Sequence, residues 1–200
     1  MRELVPEIFT WCSFSERHGY PFNGTFVRHP VGNLCVDPVV PGPDDLATFV
    51  REGLTAIVLT NRNHVRGANL VRERTSAPVL IHPADAPHAR GQGAVIDGDL
   101  AAGARLGPFT IIGVPGKSPG EVALHWSERR LLVVGDALIG NPPGQAALLP
   151  ERVVDDPTRL RTSIRQLAVL DLETLILGDG ESIVRGAGDA LRALIATFPE

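Results

Sequence analysis

Lysine is almost missing from this chain of 200 residues: its nineteen basic residues include one lysine, Lys117, and all the others are arginine. Cysteine is scarce too. Cys12 and Cys35 stand alone without a CxxC spacing, which excludes a disulfide framework and a thiolate zinc site and leaves them as small apolar residues. There is no surplus of positive charge. A formal net charge of -4 gives no broad attraction to phosphate backbones or anionic lipid, so nucleic acid and membrane surfaces are not expected partners. No run of eighteen apolar residues occurs, and Met1 to Thr10 carries Glu3, Pro6 and Glu7 in place of a basic start with an apolar core. A cytoplasmic protein is the expectation.

What is present is average for a packed protein: 44% hydrophobic and 21% charged residues, enough apolar material for a sizeable core over a single domain of residues 1–200. The opening reads as short strands broken by turns, Glu7 to Trp11, Thr25 to Arg28 after Asn23-Gly24, and Asn33 to Asp37 after Gly32. Pro43-Asp44-Asp45 marks a helix entry, and Leu46, Phe49 and Val50 give that helix an apolar stripe ending at Gly53. The apolar strand Ala56 to Leu59 follows, then a helix over 66–74 and a strand over 78–81, an alternation that implies parallel pairing.

The second half is richer in strands, at 94–96, 109–114, 122–126 and 131–134, with Asp97-Gly98-Asp99 read as a hairpin turn. Pro157 opens a helix whose Leu160, Ile164, Leu167 and Leu170 share one face. Strand 174–177 ends in Gly178-Asp179-Gly180, and a last helix spans 186–197. Residues 14–24 and 140–152 read as ordinary surface loops, with walls above a pocket as the alternative.

The segment Thr55 to Arg66, TAIVLTNRNHVR, brings Asn61, Asn63 and His64 to the carboxyl end of a buried strand, where α/β folds place chemistry. Three later segments are Gly116-Lys117-Ser118-Pro119-Gly120-Glu121, Val134-Gly135-Asp136-Ala137 and Leu177-Gly178-Asp179-Gly180. In this order the four resemble the metallo-β-lactamase fold, with Asn33 to Pro38 similar to the strand before its first helix, over roughly residues 5 to 197. The resemblance implies an α/β (α+β) four-layer αββα sandwich of two mixed sheets with outer helices, and a hydrolase working through two zinc ions.

The ligands that the resemblance implies are mostly replaced. Laid over the HxHxDH loop without gaps, this chain puts Asn61, Asn63, Val65 and Arg66 at the ligand positions. Lys117 and Asp179 stand where the GHTPG and GHG segments carry histidine, and Asp136 alone matches. An amide is a poor zinc ligand and fixed cations repel a dication, so no binuclear site, and no metal or cofactor, is expected. The alternative is one zinc, iron or manganese ion on His64, Asp136 and Asp179. His64 otherwise reads as a loop histidine bonded to backbone.

Arg66 and Lys117 balance the charges of Asp136 and Asp179, which assigns Lys117 the place of a metal's charge. Arg62, His64, Arg66 and Lys117 also read as an anion site for a carboxylate or phosphate, against the plain reading of Arg62 and Arg66 as exposed residues. The expected ligand pocket is Asn61, Arg62, Asn63, His64, Arg66, Lys117, Asp136 and Asp179, with a small molecule as partner, a homo-oligomer compatible, and no catalytic residue assigned. The leading expectation is a small-ligand or partner binder. Its alternatives are a hydrolase of ester, thioester, lactone or phosphate bonds, and an interaction protein with a collapsed pocket. His82, Asp85 and His88 are ligand types without a ligand spacing, and Ser118 lacks a nucleophile elbow.

Overall fold

A computed structural model describes residues 1–199. Two mixed sheets face each other. The first has seven strands in sequence order: β1 (Arg2–Val5), β2 (Ile8–Ser15), β3 (Tyr20–Val27), β4 (Leu34–Val36), β5 (Ala56–Leu59), β6 (Val79–Ile81) and β7 (Gly98–Asp99). The strands β1 to β4 pair antiparallel as a meander, and β4 to β7 pair parallel. The second sheet runs β12 (Thr174–Leu177), β11 (Leu131–Val134), β10 (Val122–Trp126), β9 (Phe109–Gly113) and β8 (Arg105–Leu106), with only β11 and β12 parallel.

Helices cover both outer faces. Helices α1 (Pro43–Glu52), α2 (Ala68–Thr75) and α3 (Ala86–Gly91) lie on the first sheet, where Phe49, Val71 and Ala89 join Trp11, Phe26 and Ile57 in one apolar cluster. Helices α4 (Pro157–Leu167) and α5 (Ala187–Ile195) lie on the second, with Leu160, Ile164 and Leu191 packed on Leu132, Val134 and Leu175. A third cluster, Ile8, Val27, Val58, Phe109, Leu124, Val133 and Ile176, fills the space between the sheets. This alternation of strand residues between an inner and an outer cluster is the period-two pattern of a sheet buried on both faces. The four-layer αββα sandwich is therefore the observed architecture.

Several elements differ from the sequence reading. The segment 94–96 is not a strand; the short edge strand is Gly98–Asp99, parallel to β6, because Asp97 spends its carboxylate on Arg72 and on the amide of Val79 rather than on a hairpin turn. Residues 14–24 are the hairpin of β2 and β3 more than a loop: eight consecutive pairs run from Ile8↔Val27 to Ser15↔Tyr20. Strands β1 and β8 were not legible, being short, exposed edges without alternation. No described helix is long and apolar enough to cross a membrane.

The carboxyl ends of β4, β5, β11 and β12 converge on one edge of the sandwich. Gly135 is needed there, since a Cβ on it would come within 2.1 Å of Thr60 Oγ1. The last turn of β12 is tied to the first sheet: Asn23 N donates to Gly178 O at 2.7 Å, and Asn23 Nδ2 donates to Leu177 O and Gly180 O at 2.9 and 2.7 Å.

Candidate metal centre

Parallel strands deliver their polar residues at their carboxyl ends, and the four ends here supply Asp37, Thr60, Asp136 and Asp179. Strand β5 is wholly buried and stops at Thr60, whose Oγ1 and backbone N donate to Asp37 Oδ2 at 2.5 Å and Oδ1 at 2.8 Å. Asp37 adopts a left-handed φ of 49°, one of four non-glycine residues to do so among the described residues, and the Thr60 contacts fix its carboxylate beside the loop that follows β5.

That loop carries His64, which is fully buried. Its Nδ1 lies 2.8 Å from Asp37 Oδ2 and its Nε2 lies 3.0 Å from Asp136 Oδ1. Gly178 lets the β12 turn pass beside the ring, for a Cβ there would be 3.0 Å from His64 Cε1. Burial works to lower the imidazole pKa, but Asp37 and Asp136 overcome it and raise the value to about 10. Burial alone would raise the carboxyl of Asp136, yet His64 and Lys117 hold it far below the usual carboxylate range.

Two cations hold the carboxylates from behind. Lys117 Nζ lies 2.9 Å from Asp136 Oδ2, and Arg66 Nη2 donates to Asp179 Oδ1 at 2.9 Å. The Arg66 guanidinium rests on the ring of Phe22, 4.3 Å from its centroid. Burial and the nearby Asp136 raise the pKa of Asp179, against His64 and Arg66. Deeper in, Glu121 accepts from Ala137 N at 2.7 Å and from Asn61 Nδ2 at 3.4 Å, while its Oε2 has no partner; burial, then Asp136, raises its pKa well above the carboxylate range.

Of the expected pocket residues, the fold brings His64, Arg66, Lys117, Asp136 and Asp179 together and turns Asn61 toward Glu121. It does not bring the rest. Arg62 leaves the site, its Nη2 donating to both oxygens of Asp155 at 2.6 and 2.7 Å, and Asn63 is exposed. Asp85 accepts from Ser118 Oγ, Gly120 N and Arg62 N, so it braces the loops and does not form a site with His82 and His88. Asp37, Thr60 and Glu121 were missed as site residues. The signal for Asp37 was available, because it ends a strand that pairs beside β5.

The donor chemistry fits one metal ion. Single ligand atoms of His64, Asp136 and Asp179 all lie within 4.8 Å of one another, and among the described residues this is the group of ligand types so placed. The 3.0 Å between His64 Nε2 and Asp136 Oδ1 is a hydrogen-bond distance, so an ion held by both would take the place of the proton between them. Asp37 on Nδ1 is the outer partner that fixes a ligating imidazole. Asn61, Asn63 and Val65 supply no set for a second ion, and Arg66 and Lys117 oppose one.

A sequence profile described as the metallo-beta-lactamase superfamily matches residues 1–198. The hydroxyacylglutathione hydrolase of Cereibacter sphaeroides is 32% identical over 167 residues, covering 80% of this chain, and the chain spans 62% of that relative's length. The crystal structure of TTHA1623 in a di-iron-bound form superposes with a TM-score of 0.67 at 28% identity, covering 86% of this chain and 93% of that one. A metallo-beta-lactamase from Pontibacter korlensis, at 14% identity, shares the fold with a TM-score of 0.79 over 98% of each chain. The expectation of no cofactor is corrected by these findings: a similar protein carries iron, and in this chain a His-Asp-Asp triad converges with the outer partner that a ligating histidine requires.

Proposed function

This chain belongs to the metallo-beta-lactamase superfamily, and from that premise we propose that it is a hydrolase of ester-type bonds, thioesters foremost, using one metal ion on His64, Asp136 and Asp179. The observation that carries the proposal is the orientation of His64, whose Nδ1 is engaged by Asp37 so that Nε2 faces the two aspartates. A divalent ion bound there supplies Lewis acidity and a lowered pKa for water. The chain's own residues do the rest. Lys117 and Arg66 each hold one oxygen of a ligating carboxylate and fix its rotamer, and Asn23 anchors the turn that bears Asp179. The thioester preference is supported by the relative named for hydrolysing a hydroxyacylglutathione, an acyl thioester by its chemistry.

A second reading, binding of a small ligand without turnover, is favoured by the charge balance: three cations, His64, Arg66 and Lys117, stand against Asp37, Asp136 and Asp179, and the triad side chains are at most 7% exposed. One experiment separates the two. The chain is purified without chelator, its metal is measured by elemental analysis, and cleavage of an acylglutathione is followed for the wild type and for His64→Ala. About one ion per chain, with turnover abolished in His64→Ala, is expected. Loaded protein that cleaves no thioester or ester overturns the hydrolase, and two ions per chain overturn the single-ion site.

A further inference from the structure

With seven strands facing five, part of the inner face of β1 to β3 has no strand opposite it. Over that part lie the turns that hold Gly140 and Asn141 and Gly180 to Ser182, and a cavity of about 520 Å³ remains between them and the sheet. Cavities of about 300–1,000 Å³ are the size that takes small molecules. The strand period sets what lines it: Arg2 pairs with Thr10, and Cys12 with Asn23, on the face that two residues further along carries Ile8 and Val27 into the intersheet cluster.

Two of the lining side chains are more than nine-tenths buried and have only acceptors left to offer. Thr10, 6% exposed, spends its hydroxyl proton on the main-chain carbonyl of Gly24 at 3.0 Å. Asn23 spends both Nδ2 hydrogens on Leu177 O and Gly180 O, and no described residue donates to its Oδ1. Buried acceptors call for a donor, so what fills the cavity brings N–H or O–H groups. Arg2 and Glu181 also line it; both are exposed, and neither has an ion-pair partner among the described residues. Arg2 opposes a simple amine and Glu181 opposes a simple anion, which leaves a ligand that carries both charges. Leu4, Pro21 and Pro143 add apolar wall.

We infer that this cavity is a binding site for a small zwitterion of the α-amino acid class with an apolar side chain. Its ammonium donates to Asn23 Oδ1 and Thr10 Oγ1 on the side of Glu181, and its carboxylate pairs with Arg2. An ammonium has three hydrogens for these acceptors, and a guanidinium matches a carboxylate in plane. Arg2 stands directly across from Thr10, and side chains so paired are neighbours, as suits a ligand whose two charges are carried on one carbon. The site is distinct from the metal centre, and the inference does not depend on the hydrolase reading.

The test is calorimetric titration of the full chain with leucine, with N-acetylleucine, which lacks the ammonium, and with leucinamide, which lacks the carboxylate. It is repeated on Arg2→Gln and Thr10→Val, with circular dichroism on each, and on chain freed of metal by chelator, because an amino acid can also ligate a metal ion. Leucine is expected to bind at millimolar concentration or below and about tenfold or more tightly than either derivative, the worth of one charge-assisted hydrogen bond. Arg2→Gln should bind leucine and leucinamide alike, Thr10→Val should bind leucine about tenfold more weakly, and metal removal should leave the affinity unchanged. Arg2 is exposed, so its variant keeps the comparison open if Thr10→Val does not fold. No leucine binding at millimolar concentration, a derivative that binds as well as leucine, an unchanged preference in folded Arg2→Gln, or binding lost with the metal from a chain that stays folded overturns the inference.

Discussion

Asp37 Oδ2 lies 2.8 Å from His64 Nδ1, and the same oxygen accepts from Thr60 Oγ1 at 2.5 Å, so the ends of two adjacent parallel strands fix the ring of one histidine. An outer carboxylate of this kind sets the tautomer and raises the basicity of a ligating imidazole. Replacing Asp37 by Asn keeps the shape but removes the charge. Metal affinity should fall about 10- to 100-fold in Asp37→Asn, measured by competition with a chromophoric chelator. An affinity within about twofold of wild type would show that Nε2 of His64 is not a ligand.

The His64 pKa, raised to about 10, makes a prediction for metal-stripped protein. The unfolded histidine titrates near its ordinary 6.5, so between pH 6.5 and 10 the folded chain holds a proton that the unfolded chain has lost. The stabilisation is complete below 6.5 and decays as pH rises toward 10. Urea unfolding should show stability falling by up to about 1.4 kcal/mol per pH unit across that window, and His64→Gln should flatten the slope. A wild-type profile that is level from pH 7 to 9.5 would remove the protonated, doubly paired imidazole.

Lys117 gives two readouts of opposite sign. Its side chain is 4% exposed and its ammonium lies 2.9 Å from Asp136 Oδ2. Lys117→Met leaves Asp136 buried beside His64 alone, and removing one partner of a buried pair costs about 3–5 kcal/mol. Stripped of metal, the variant should be less stable by roughly that amount in denaturant titration. Its affinity for a divalent ion should rise, because the ion no longer competes with a fixed cation for Asp136. A variant with unaltered stability and unaltered metal affinity would place Lys117 outside the site.

The sheets and helices that bear the site were legible because each carries its period. The β5 run Ala56–Leu59, the strand Val122–Trp126 and the helix begun by Pro157 lie where apolar patterning and the proline placed them. Asp136 and Asp179 were legible through the resemblance of the segments that carry them, whereas His64, read foremost as a loop histidine bonded to backbone, is instead held between Asp37 and Asp136. Asp37 and Glu121 were not, because what makes them site residues is a partner distant in sequence: His64 for one, Ala137 and Asn61 for the other. Arg62 shows the converse. Its neighbours in sequence suggested a shared cluster, but Asp155, 93 residues away, draws it out of the site.

Asn23 tests whether the site depends on the contact between sheets. Its Nδ2 donates to Leu177 O and Gly180 O, and its backbone N to Gly178 O, so β3 grips the turn on either side of Asp179. The residue is 8% exposed, and Asn23→Ala strands two carbonyls that water reaches poorly. Leaving such groups unpaired costs about 1–3 kcal/mol each, which sets the expected loss at about 2–6 kcal/mol by denaturant unfolding. The Asp179 turn then loses its fixed position, so metal binding should weaken more in Asn23→Ala than in a variant of equal instability made in the distant α5 cluster, such as Leu191→Ala. Equal weakening in both would mean that global stability, not the hold of β3 on the turn, sets the geometry of the centre.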